Sequence, residues 1–238
     1  MEQEGTLYTV TITGYQGNPL FMHADDIAWA DQMDTWRRDP PNKTETKPGD
    51  DRSPAWRWLG SVYHDDTQLV LPTANLQKCL MEGGAQVLVP NGRGKTYKAL
   101  TQSGCQFMDL SWPLLVQGAP IPWAPLEALM EEPDFAMHTK MAREHGFTLD
   151  VRRVLVQGQR HIRVRPCFKD WSASGRLWVS DERLSPAILA RLWDVAGDTK
   201  GVGDWRPSSK TPGPHGRFWV QIAPAADAAR RRNGRGGA

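Results

Sequence analysis

Strict alternation of apolar and polar positions predicts strands in four places. Residues 7–13 (LYTVTIT) alternate β-forming side chains and stop at Gly14. Residues 148–157 (TLDVRRVLVQ) and 160–168 (RHIRVRPCF) are joined by Gly158-Gln159, the signature of a tight hairpin. In the second run Ile162 and Val164 face one way, and His161, Arg163 and Arg165 face the other. Residues 218–223 (FWVQIA) make a last strand, and WLGSVYHDDTQLVLP predicts a pair of short ones. Helical spacing occurs twice. Leu76, Cys79 and Leu80 share one face of a helix closed by Gly83-Gly84. Ile188, Leu189, Leu192, Trp193 and Ala196 form the stripe of another, with Ser185 as cap and Pro186 in the first turn.

Two stretches interrupt this pattern. Residues 24–58 carry the turn signals DPP, KPGDD and SPAW together with Trp29, Trp36, Trp56 and Trp58. They predict an inserted finger with a flexible middle that puts aromatic surface outside the compact fold. Residues 112–147, rich in proline and acids with a short helix near 126–130, predict a second insertion. Without them the order is strand, helix, strands, strand, helix, strand. That is an α+β, ferredoxin-like (RRM-like) antiparallel sheet with helices on one face. Residues 1–224 are expected to form this single domain, and the low-complexity tail 225–238 to be disordered.

Composition narrows the function classes. The 238 residues are 39% hydrophobic and 24% charged, which suits a folded core. No run approaches the roughly 18 apolar residues of a membrane span, and MEQEGTLYTV lacks the layout of a signal peptide. Cys79, Cys105 and Cys167 stand without CxxC or CxH spacing, so the expectation is reduced thiols, a cytoplasmic protein, no metal and no cofactor. The net charge is only +2, yet basic side chains clearly outnumber acids over residues 152–217. Such asymmetry suggests a surface facing a polyanion.

Three features carry candidate binding chemistry. Between Gly197 and Phe218, Gly201, Gly203, Gly213 and Gly216 interleave with Lys200, Trp205, Arg206, Lys210, His215 and Arg217. Glycines let the main chain approach phosphates, cations neutralise them, and tryptophan offers a stacking face; the alternative is a long turn built for geometry alone. The basic face of His161, Arg163 and Arg165, continued by Lys169 and Trp171, is either an anion-binding strand or a solvated face with acidic partners. The turn NGRGKTYK offers Arg93, Lys95 and Lys98; a Walker A loop would need glycine where Val89 stands. Catalysis has less support: there is no HExxH, and the Asp25-Asp26, Asp50-Asp51 and Asp65-Asp66 pairs fall in loops. His161 or His215 as a general base is the residue-level route to it.

Taken together, ITGYQGNPLFMHA, WRWLGSVYHDD, RVRPCFKDW and GVGDWRPSSKTPGPHGRF resemble the RAMP superfamily, near the backbone subunits of CRISPR effector complexes and closer to RAMP-like proteins of tailed bacteriophages. The resemblance covers about 60% of the chain and is clearest in the last block. It implies that Gly201, Gly203, Arg206 and Arg217 contact a nucleic-acid backbone, and that copies of the protein line up on the strand. The expectation is therefore a non-catalytic binder of single-stranded RNA or DNA, a homo-oligomer on the strand, in the host bacterial cytoplasm if phage-encoded. The alternatives are a metal-independent RAMP-type endoribonuclease using His23 or His161, and a phage protein that binds a host protein complex.

Overall fold

A computed structural model describes residues 5–24, 27–156 and 158–225; the remainder of the tail expected to be disordered, 226–238, lies outside them. The chain folds as α+β, with two antiparallel sheets. β1 (Thr6–Gly14) buries Tyr8, Val10 and Ile12 and leaves Thr9, Thr11 and Thr13 half-exposed, as its alternation predicts. It pairs with β9 (Trp171–Val179) on one side and β10 (Phe218–Pro224) on the other. β9 continues to β5 (Ser111–Val116), and β5 to β3 (Val70–Pro72), so the order is β10-β1-β9-β5-β3. Short strands β4 (Cys105–Phe107) and β6 (Ala119–Pro120) add to β9 and β5.

One face of this sheet is apolar and covered. α3 (Thr73–Gly84) and α7 (Pro186–Thr199) pack side by side, with Gly83 so close to Ala196 that any larger residue there would collide. Trp193 of α7 meets Trp112 and Phe218 of the sheet. Aromatic side chains bury about 150–250 Å² each, so this layer dominates the core. Ser185 caps α7, accepting from the Ile188 N–H at 3.4 Å, a contact worth about 1 kcal/mol.

The second sheet has the order β2-β8-β7, from β2 (Leu20–Phe21), β8 (Gln159–Phe168) and β7 (Thr148–Val156). The hairpin forms where expected, but β8 is not a strand of the main sheet. β8 pairs with β2 and β7, and β1 occupies the place beside β9 and β10.

The two predicted insertions are also built differently from expectation. Residues 24–58 contain α1 (Ile27–Arg38), α2 (Pro40–Glu45) and the start of a 3-10 turn, Ala55–Ser61. Their tryptophans do not project. Trp56 and Trp58 are buried, and Trp29 and Trp36 pack edge-on against Trp56 at 5.6 and 6.1 Å. The apolar area of four indoles is better satisfied on their own core than in water. Residues 112–147 begin inside the main sheet as β5 and continue to α5 (Ala124–Glu127), beside a 3-10 turn, and to α6 (Phe135–Glu144). Between α3 and β4 lies α4 (Lys98–Gly104).

Candidate nucleic-acid interface

The glycine-rich loop between α7 and β10 is fastened at both ends to the segment around β2. Val202 N–H donates to Gly216 O at 2.9 Å, Gly216 N–H to Pro19 O at 3.0 Å and Asp204 N–H to Phe21 O at 2.8 Å. Two glycines make this approach possible. At Gly203 (φ +80°) a Cβ would lie 2.2 Å from Phe21 O, and at Gly216 (φ +68°) 1.7 Å from Val202 O. The glycines therefore serve backbone-to-backbone packing. Gly201 is buried and sits just beyond the end of α7, its N–H bonded to Ala196 O.

The loop's arginines have partners within the chain. Arg206 donates from Nε to Ser208 Oγ at 2.9 Å and from Nη1 to Gly203 O at 2.8 Å. Arg217 forms an ion pair with Asp198, donates to Asp198 O, and lies 5.3 Å from the Tyr15 ring centre. Lys200 caps α7 and is half-buried, whereas Lys210 is exposed. Arg206 is half-buried and braces the loop from within, whereas the Arg217–Asp198 pair lies at the surface.

An aromatic cluster forms where the loop meets the second sheet. His215 stacks on Phe21 at 4.2 Å and meets the edge of half-buried Trp205 at 5.0 Å. The Arg152 guanidinium lies 5.4 Å from the Phe21 ring and 5.0 Å from that of Trp205. Burial, and then nearby Arg152, hold the His215 imidazole below its ordinary pKa. Neither Phe21 nor Arg152 was singled out in the sequence. Arg152 was legible only as one of two arginines in TLDVRRVLVQ, and its pairing with Asp150 is local.

The β8 face has acidic partners. Arg163 donates to Asp51 Oδ1 at 3.0 Å, and Arg165 reaches Asp51 at 3.8 Å and Asp204 at 3.0 Å. Arg165 thereby ties β8 to the glycine-rich loop. His161 is half-buried against Gly49, and Lys169 is exposed at the turn into β9. Trp171, expected to extend this face, is fully buried; it contacts Phe218 edge-on and donates to Asn18 O, so its role is packing.

Arg93 and Lys95 occupy an exposed turn in which Val89 N–H donates to Lys95 O at 2.9 Å, and exposed Lys98 begins α4. Among the described residues no hydrogen bond or ion pair joins this turn to β8 or the glycine-rich loop. The cysteines are buried, and desolvation pushes the Cys79 and Cys105 thiols up to about 12, which leaves them unreactive near neutrality. Among the described residues no group of three or more His, Cys, Asp or Glu could hold a metal ion, and no helix is long and apolar enough to cross a membrane. No family model matches the chain, and no curated protein is significantly similar to it in sequence.

Proposed function

We propose that the protein is a non-catalytic binder of single-stranded RNA or DNA on a RAMP-type, ferredoxin-like domain, and that copies assemble along the strand. The observation that carries the reading is the Arg152 guanidinium of β7 over buried Phe21 of β2 and over Trp205, which sits on a loop locked to β2. A half-exposed indole with a cation above it is what bases and phosphates of a single strand use. Base–aromatic stacking is worth about 1–3 kcal/mol per base and tolerates any sequence. Exposed Lys169 and Lys210 add charge to the basic segment.

Support for the fold assignment lies in the order β10-β1-β9-β5, all antiparallel, with α3 following β1 and α7 joining β9 to β10. That is the strand order of a split β-α-β repeat. Support for side-by-side assembly comes from the second sheet. β7 is its edge strand, and Val151 and Leu155 on it are exposed.

The test is mass photometry of purified protein with and without a single strand of about 60 nucleotides, long enough for several binding sites. Several protein copies on the strand and monomers without it are expected. A one-to-one complex at saturation rejects assembly, and no complex with either RNA or DNA rejects the binding function. RNA cleaved in the absence of metal would reject the non-catalytic reading.

A further inference from the structure

A pocket of about 240 Å³ opens between α1, the 3-10 turn and β8. Four guanidiniums line it, those of Arg37, Arg57, Arg163 and Arg165, against two carboxylates, Asp34 and Asp51. Asp51 is nearly removed from solvent and serves three of the four: Arg57 at 3.3 Å, Arg163 at 3.0 Å and Arg165 at 3.8 Å. It also accepts from the Val164 N–H at 3.4 Å. A single carboxylate neutralises one of these charges. Asp204 takes a share of Arg165 from outside the pocket, and positive charge still remains in excess. Arg57 records the result: burial pulls its pKa below the ordinary guanidinium value, Asp51 opposes this, and Arg37, Arg163 and Arg165 add to it.

Beside the pocket lie two buried donors without acceptors. Arg37 is held by Asp34 at 3.6 Å, and its Nε is buried with no hydrogen-bond partner among the described residues. The Trp29 Nε1 on the same wall is in the same position. Clustered like charge is unfavourable in such a half-enclosed place. An anion held among the guanidiniums relieves that repulsion. Guanidiniums grip phosphate oxygens in bidentate fashion, and the volume is below the roughly 300–1,000 Å³ of sites for drug-sized ligands. Trp29 and Met33 supply an apolar wall beside the charge.

We propose that this pocket is a binding site for a phosphate group, carried by a small phosphorylated molecule or by the end of a strand. It does not depend on the single-strand reading, since its test uses inorganic phosphate as the probe. Thermal unfolding is measured in phosphate and in chloride at matched ionic strength, for the wild type, Arg37→Gln and Arg163→Gln. Phosphate at about 100 times Kd is expected to raise the wild-type Tm by about 5 °C or more. Arg37→Gln should keep its Tm in chloride and need about tenfold more phosphate for the same rise. No rise in the wild type, or a rise in both variants as large as the wild type's at the same phosphate concentration, overturns the site. A second arm compares 5′-phosphorylated and 5′-hydroxyl oligonucleotides. A preference for the phosphorylated end that Arg37→Gln abolishes identifies the strand as the source. Equal affinities, alongside a phosphate-induced rise, identify a small molecule. A phosphate rise in a protein that binds no oligonucleotide leaves the pocket standing and removes the single-strand function.

Discussion

The glycine-rich loop and the arginine-lined pocket both meet β8 at Arg165, yet their charges are balanced in opposite ways. In the loop each arginine has its own acceptor: Arg206 has Gly203 O and Ser208, and Arg217 has Asp198. In the pocket three guanidiniums share Asp51. A conspicuous basic motif need not be where charge is available. The loop's glycines and arginines largely hold its own shape, and what it presents outward is Trp205 beneath Arg152. Unbalanced charge collects instead among residues that no motif connects.

The sharpest contrast is between two tryptophans of the same basic half. Trp171→Ala removes a fully buried indole from the main sheet and should lower stability by about 3–5 kcal/mol, read by urea unfolding. Trp205→Ala, whose ring is partly buried against Gly213, His215 and Arg152, should cost less stability than Trp171→Ala and weaken single-strand binding by about 1–3 kcal/mol. Equal losses of stability in the two variants would erase the distinction between core and interface.

Asp51→Asn tests the charge balance itself. Removing one partner of a buried ion pair typically costs 3–5 kcal/mol; because the three arginines keep some solvent contact, about 2–3 kcal/mol is expected. The same variant should bind inorganic phosphate more tightly than the wild type, because the competing carboxylate is gone. Weaker phosphate binding by a folded Asp51→Asn protein would mean that Asp51 assists the anion and does not compete with it.

A smaller effect concerns His138, which holds the tryptophan-rich region to α6. Trp58 Nε1 donates to His138 Nδ1 at 2.9 Å, and His138 Nε2 lies 2.8 Å from Glu132 O, so the neutral ring with its proton on Nε2 satisfies both contacts. Burial holds its folded pKa below the ordinary value. The unfolded chain therefore takes up the proton first. The His138 contribution is complete above about pH 6.5 and is lost as pH falls through the folded pKa. His215, shifted the same way by burial, adds to this slope. His138→Leu should cost about 1–2 kcal/mol at pH 7.5 by leaving the Trp58 donor unpaired. It should also flatten the loss of stability on acidification, measured by urea unfolding across pH 5–7.5 (roughly the range in which histidine titrates).

The elements that the sequence revealed are those whose signal is local. β1, the β7–β8 hairpin, α7 with its Ser185 cap and β10 each carry period or cap within their own residues. What stayed hidden depends on distant partners. β9 has Gly175 where its apolar alternation needs a large side chain, because the Trp112 ring from β5 fills that space. β8 belongs to a separate sheet through a two-residue strand too short to show any period. α6 buries only His138 and Ala142, too thin a stripe to read as helical. The pocket joins Asp51 to arginines more than a hundred residues away, and the spacing of residues along the chain carries no trace of that.

Binding of a single strand through charge and stacking is measured by fluorescence anisotropy of a labelled single strand across a salt series, with the matching duplex beside it. If about six phosphates are neutralised, the slope of log K against log salt is roughly −4 on the single strand, and the duplex binds more weakly. Affinity independent of salt, or a preference for the duplex, would contradict the account.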